Sequence, residues 1–198
     1  MTLRKSILVL SVIGITGILF MASVSANRTS KDIHISAELP VFGQVTDFAL
    51  TNSENAEVTL ASLKGAPWIA DFIFTTCGGP CPKMTGQMAA LHRDFKDHAG
   101  LKFVSISVNP EVDTPEILAA YAKSYEADTA RWYFLTGESE KVHGLAVNGF
   151  KLGSLDDPII HSDRFALVYG DGQIRGYYGG TDPDDLAKLT RDASLLLN

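Results

Sequence analysis

Apolar positions along the chain fall into short runs and periodic stripes that switch between the strand pattern and the helix pattern. Residues 68–74 form a mostly apolar run that ends in Thr75 and Thr76. Behind Cys77-Gly78-Gly79-Pro80-Cys81-Pro82, the residues Met84, Met88, Leu91 and Phe95 recur at helical spacing. This reads as strand, loop and helix, with the stripe facing a core. Upstream, residues 47–50 and 58–60 flank an Asn- and Ser-rich stretch and predict a small hairpin at the edge of a sheet, and Leu63-Lys64-Gly65 turns into the central strand.

Downstream, residues 101–108 alternate almost strictly and predict a second strand ending at Asn109-Pro110. Asp113-Thr114-Pro115 predicts a capped helix that buries Ile117, Leu118, Tyr121 and Tyr125. Residues 132–135 predict a third strand, and residues 138–147 a third helix carrying Val142, Leu145 and Ala146. Two apolar runs, 165–169 and 174–178, flank Gly170-Asp171-Gly172 and predict a hairpin. Thr181-Asp182-Pro183 caps a last helix with Leu186, Leu189, Ala193 and Leu196 inside and Asp184 and Asp185 at its positive end. Strands alternating with helices, closed by a hairpin, predict a three-layer α/β domain with parallel central strands and an antiparallel edge.

The N-terminal segment has a different pattern. Arg4 and Lys5 precede an uncharged run from Ser6 to Ala26, 21 residues long, that closes on Val24-Ser25-Ala26. Residues 1–26 therefore read as an export signal cleaved near Ala26 or as a membrane anchor kept in place, since the run is long enough to span a bilayer and the two positive charges hold the terminus in the cytoplasm. Either reading puts the rest of the chain outside the cytoplasm. Residues 27–39 read as a linker and 40–198 as one globular domain, which the total of 198 residues and 45% hydrophobic composition allow. With 17 basic and 23 acidic residues and a net charge of −6, the chain is not patterned as a nucleic-acid binder.

The only two cysteines of the sequence lie in the loop between strand and helix, where open α/β sheets place their sites. Pro82 is favoured at the first helical position, which puts Cys81 at the N-cap, against unpaired N–H groups and the positive end of the helix dipole. The expectation is an acidic Cys81 and an ordinary Cys77. Residues four apart on a helix sit about 5–6 Å apart at Cβ, too far for a disulfide, so Cys77 belongs to the loop, which Gly78, Gly79 and Pro80 can curl. Such a pair opens and closes, clamps a metal, or acts as a plain staple. Thr75 and Thr76 either donate to sulfur or finish the strand. Met84 and Met88 are soft donors at core spacing. His34, His92, His98 and His143 fall in the linker or on polar helix faces and read as solvated. His161, between Ile159-Ile160 and Ser162-Asp163, reads as a ligand or as the cap of a strand.

Several motifs together resemble the Sco/SenC family of copper-binding assembly factors, over about residues 40–197. They are CxxxCP after an apolar strand, SVNPEVDTPE beginning at Ser107, a histidine ahead of a strand-turn-strand with Asp-Gly at its tip, F-x-L before the first hairpin and L-K-G before the central strand. The resemblance implies a thioredoxin-like fold, with a central mixed sheet, an N-terminal hairpin and a C-terminal helix. It also implies copper held by Cys77, Cys81 and His161; Asp163, two residues on, reads as an acceptor for the ring or as a solvated carboxylate. The partners implied are an apo copper protein such as an oxidase subunit, a thiol reductant, and the membrane through the N-terminal segment, with the domain on the periplasmic side. Two soft thiolates and an imidazole suit copper, whereas zinc usually takes a fourth ligand. Two positions depart from the family pattern: Gly78-Gly79-Pro80 lacks the usual acidic residue, and Asn109-Pro110 stands where Asp-Pro is usual. The competing expectation is a thiol–disulfide oxidoreductase that reduces a partner's cysteines through the same pair. A peroxidase fits less well, because Phe74-Thr75-Thr76 precedes Cys77 without the expected proline.

Overall fold

A computed structural model describes residues 39–153 and 162–197. The expectations for residues 1–38 and for His161 lie outside the described residues.

Eight strands form one sheet. In chain order they are β1 (Gly43–Gln44), β2 (Ala49–Asn52), β3 (Glu57–Thr59), β4 (Trp68–Ile73), β5 (Lys102–Ser107), β6 (Trp132–Thr136), β7 (Arg164–Val168) and β8 (Gln173–Gly179). Between and after them lie the helices α1 (Leu60–Leu63), α2 (Cys81–Asp94), α3 (Pro115–Ser124), α4 (Ser139–Gly144), which runs on into a π-helical turn at Leu145–Gly149, and α5 (Pro183–Leu197). The spatial order is β1-β8-β7-β4-β5-β6-β2-β3. β4, β5 and β6 are parallel, and β7, β8, β2, β3 and β1 add to them in antiparallel pairs. The architecture is the expected three-layer α/β domain with a mixed sheet, an N-terminal hairpin at one edge (β2–β3) and a C-terminal helix.

β4 is buried along its whole length, as a central parallel strand must be. Its side chains alternate between two cores. Trp68, Ala70 and Phe72 pack with Val104, Ile106, Leu145, Ala146 and Phe150 on the α1/α4 face. Ile69 and Ile73 pack with Met84, Met88, Leu118, Trp132 and Leu189 on the face covered by α2, α3 and α5. Met84 and Met88 are fully buried, so the methionine stripe is core. Among the described residues no helix is long and apolar enough to cross a membrane.

Several local expectations are corrected. Leu60 does not continue the strand: Thr59 ends β3 and is the N-cap of α1, in a reciprocal capping box with Ser62. The third helix gives way to a π turn after Gly144. Ile117 is 40% exposed, because Leu118 and Ala122 are the residues of α3 that face the sheet. His92 is not solvated: it lies 6% exposed against Phe103 and Trp132, with its Nε2 3.1 Å from Nη2 of Arg131. Burial and the Arg131 charge push its pKa below the ordinary value.

The β7–β8 turn closes against the loop that enters β4. Gly65 N–H donates to the Gly170 carbonyl at 2.9 Å, and a Cβ on Gly170 would sit 2.8 Å from Ala66 N and 3.0 Å from Gly65 N. These are backbone atoms that cannot swing aside. Gly170→Ala is expected to lower stability by about 1–3 kcal/mol, read as a lower urea midpoint at unchanged slope. An unchanged midpoint would mean that this close approach carries no weight.

Candidate functional site

The strand–loop–helix unit positions the cysteines as the pattern of apolar residues implies. β4 ends at Ile73, the chain turns at Phe74 with Cys77 N–H donating to its carbonyl at 3.2 Å, and α2 begins at Cys81. The helix starts one residue earlier than expected. The Pro80 carbonyl already accepts from Met84 N–H at 3.0 Å, so Pro80 occupies the N-cap and Cys81 lies inside the first turn. Both cysteines are free thiols, and both are buried.

This shift of one residue reverses the expected acidities. Burial pushes the Cys81 thiol up to about 12, reinforced by its hydrogen bond to Cys77 and by the charges of Cys77 and Asp71. Burial also raises Cys77, but hydrogen bonds from the Cys81 thiol and from the N–H groups of Cys81 and Gly79 outweigh it, and its pKa falls below the ordinary 9.0. Gly79 N lies 3.4 Å from the Cys77 sulfur. The unpaired N–H groups at the start of α2 therefore serve the sulfur in the loop and not the one on the helix. Cys77, not Cys81, is the acidic thiol.

Thr75 does not reach the sulfurs. Its N–H and its hydroxyl both donate to Asp113, at 3.0 and 2.5 Å. Ser107 Oγ donates to the same carboxylate at 2.5 Å. The expected cap before Pro115 is Thr114, whose Oγ1 accepts from Ile117 N–H. Asp113 is fully buried. It ties the end of β4 to the loop after β5 and so fixes the backbone from which Cys77 departs.

A second buried carboxylate lies in β4 itself. Asp71 shares a face with Ile69 and Ile73, pairs in register with Ser105, and accepts from Ser105 Oγ at 2.6 Å, while Trp132 Nε1 donates to the same hydroxyl at 3.0 Å. Among the described residues its Oδ2 has no hydrogen-bond partner. Burial pushes its pKa up to about 7, opposed by the Ser105 hydrogen bond. Pattern reading passed over Asp71 and Asp113. A carboxylate inside an otherwise apolar strand is a signal of its own, because such a group is desolvated by its neighbours.

His161 lies outside the described residues. Just after it, Gly180 N–H donates to the Asp163 carbonyl, and a Cβ on Gly180 would sit 3.1 Å from Met84 Cε. Gly180, just after β8, thus lies beside Met84 of α2 and holds the Asp163 carbonyl. The Asp163 side chain itself is exposed.

The SCO1/SenC family model matches residues 40–194. A "SCO1 protein homolog" from Bacillus subtilis (strain 168) is 36% identical over 166 residues, covering 79% of this chain and 86% of its own length. Among solved structures, a SCO1/SenC family lipoprotein from Bacillus anthracis str. Ames superposes with a TM-score of 0.72 at 31% identity, over 79% of this chain and 96% of its own. BsSco, described as a member of the Sco family of cytochrome c oxidase assembly proteins, does so with a TM-score of 0.72 at 32% identity, over 80% and 96%. The cysteine loop, its buried carboxylates and the sheet beneath them are thus those of a chain that belongs to the SCO1/SenC family.

Proposed function

We propose that this protein is an exported copper metallochaperone, held at or released from the outer face of the membrane by residues 1–26, that carries copper on Cys77, Cys81 and His161 and passes it to an apo copper protein, a respiratory oxidase subunit being the foremost case. The observation that carries the reading is the pair of free, hydrogen-bonded thiols at the start of α2 in a chain of this family. Relatives support it: one from Stutzerimonas stutzeri is named a putative copper-binding protein, and ScoI of Bradyrhizobium japonicum has been solved with copper bound.

The residues fit a soft ion. Two sulfurs lie side by side and unbridged, and one of them is already poised to lose its proton. Bound copper would supply thiolate affinity and a one-electron couple. The chain's part is to hold the sulfurs: Asp113 anchors the strand end, Gly79 N–H stabilises charge on Cys77, and burial keeps water from Cys81. The uncharged run 6–26 contains no cysteine, so any attachment to the membrane would come from that apolar segment itself and not from a lipid on sulfur.

A second reading, a thiol–disulfide oxidoreductase acting on a partner's cysteines, is favoured by one feature, the opposite acidities of the two thiols. This is the division of labour between an attacking and a resolving sulfur. Copper titration of wild type and His161→Ala separates the two. For the chaperone, wild type takes up stoichiometric copper; His161→Ala loses Cu(II) and keeps much of its Cu(I), which two sulfurs can hold. Equal binding in both proteins removes His161 from the ligand set, and copper in neither leaves the oxidoreductase.

A further inference from the structure

The end of α2 opposite the cysteines is closed by a contact that depends on the protonation of one side chain. The helix ends at Asp94, so the carbonyls that follow have no donor within it. Arg131, just before β6, supplies one: its Nη1 donates to the Phe95 carbonyl at 3.0 Å and lies 3.5 Å from the His98 carbonyl. Its Nη2 lies 3.1 Å from Nε2 of His92, and its Nε 3.5 Å from Oδ2 of Asp128. A guanidinium carries donors only. His92 Nε2 must therefore accept, which requires a neutral ring with its proton on Nδ1.

A proton on His92 removes that acceptor and sets two cations 3.1 Å apart where the guanidinium closes the helix. The ring has little room to turn away, since it is buried against Phe103 of β5 and Trp132 of β6, which bring no charge to it. The charged groups that face it are Arg131 and Asp128 from the segment before β6 and Arg93 from α2 itself. Asp94 and Lys96 at the end of α2 and Glu126 opposite them line the same open cleft. While His92 is neutral, three cations there meet three anions, and its proton would be the surplus charge. Burial and Arg131 oppose that proton more strongly than Asp128 favours it.

We propose that the His92–Arg131 contact is an acid-sensitive latch, which holds the C-terminal end of α2 to the start of β6 at neutral pH and lets go when His92 is protonated. The closed latch disfavours the proton, so acid shifts the population toward the open one, beginning below the ordinary histidine value of about 6.5. One proton per opening limits the change to about tenfold per pH unit. The cysteines lie at the far end of the helix, about three turns away, so the latch stands whatever the pair does. For a domain outside the cytoplasm, as proposed above, such a group answers to the pH of the surroundings.

The test is amide hydrogen exchange of the full-length, reduced, metal-free protein from about pH 4.5 to 7.5, read by mass spectrometry and corrected for the intrinsic pH dependence of exchange. The N–H groups of Phe95, Lys96 and His98, which donate to the Leu91, Arg93 and Phe95 carbonyls, report the latch; that of Met84, bonded to the Pro80 carbonyl, reports the other end of α2. In the wild type, protection at Phe95, Lys96 and His98 should fall by up to about tenfold per pH unit below pH 6.5, with Met84 unchanged. His92→Gln can offer Arg131 a carbonyl acceptor and takes no proton, so its protection there should stay flat. Arg131→Met removes both cation and donor: protection should be low at every pH, and the His92 ring, followed by exchange of its C2 proton, should titrate at a higher pH than in the wild type. Equal pH dependence in wild type and His92→Gln overturns the proposal, as does a loss shared evenly by Met84. Should His92→Gln not fold, Arg131→Met decides, and protection there that follows the wild type through the acid range overturns the latch.

Discussion

At neutral pH, alkylation of the reduced, metal-free protein is expected to mark Cys77 roughly 50-fold faster than Cys81. The number follows from two opposing effects. With Cys81 pushed up to about 12 and Cys77 lowered from 9.0, the thiolate fraction of Cys77 is larger by at least about a thousandfold. A more basic thiolate is also a better nucleophile, and a Brønsted slope of about 0.4–0.5 returns some twentyfold to Cys81. Brief labelling with iodoacetamide, followed by peptide mapping, reads the ratio directly. Both cysteines must be present, because each single variant removes the hydrogen bond that separates them. A label found first on Cys81 would restore the N-cap assignment, and with it an acidic Cys81.

The two thiols then have different work. Cys77 is supported by N–H groups at the start of α2 and by a backbone anchored through Thr75 to Asp113. It is ready to meet a partner's disulfide or a metal ion. Cys81 is the sulfur that waits, its proton held by burial and by the neighbouring Cys77.

Much of this was legible in the sequence because the signals were strong and local. β4, α2 and β5 follow from an unbroken apolar run, a helical stripe and a strict alternation, and the loop between β4 and α2 follows from its Gly, Pro and Cys residues. What escaped pattern reading depends on partners far away in the chain. Asp113, ahead of the Thr114-Pro115 cap, belongs to no periodic pattern; only the return of Thr75 to its side shows a buried anchor. His92 sits beside a polar stretch of α2, and its burial comes from Trp132 at the start of β6 and Arg131 just before it. The position of Cys81 turned on a single carbonyl, that of Pro80, closing the first helical turn, and helix ends vary by this much from pattern alone. β1, with two residues, and the π turn after Gly144 have no periodicity to read.

Asp71 should cost the fold stability, in a way that depends on pH. Its pKa is raised by burial from 3.8 to about 7 in the folded chain. Below pH 3.8 it is protonated in both the folded and unfolded states and costs nothing beyond its missing partner. Between about pH 4 and pH 7 the folded state keeps the proton and the unfolded state has lost it, so stability falls as the pH rises. Above the folded pKa both states are ionised and the loss is complete. A difference of about three units corresponds to a loss on the order of 4 kcal/mol, a large share of the margin of an ordinary domain. Asp71→Asn cannot ionise, so the variant should match wild type near pH 4 and exceed it by several kcal/mol at pH 8. Urea unfolding of both proteins, reduced and metal-free, at a series of pH values isolates the Asp71 contribution, since His92 and the other titrating groups are common to both. Parallel curves would mean that Asp71 is solvated in the folded state and has an ordinary pKa. Diverging curves would mean that the fold keeps a carboxyl in the buried face of β4 at a cost in stability that grows with pH.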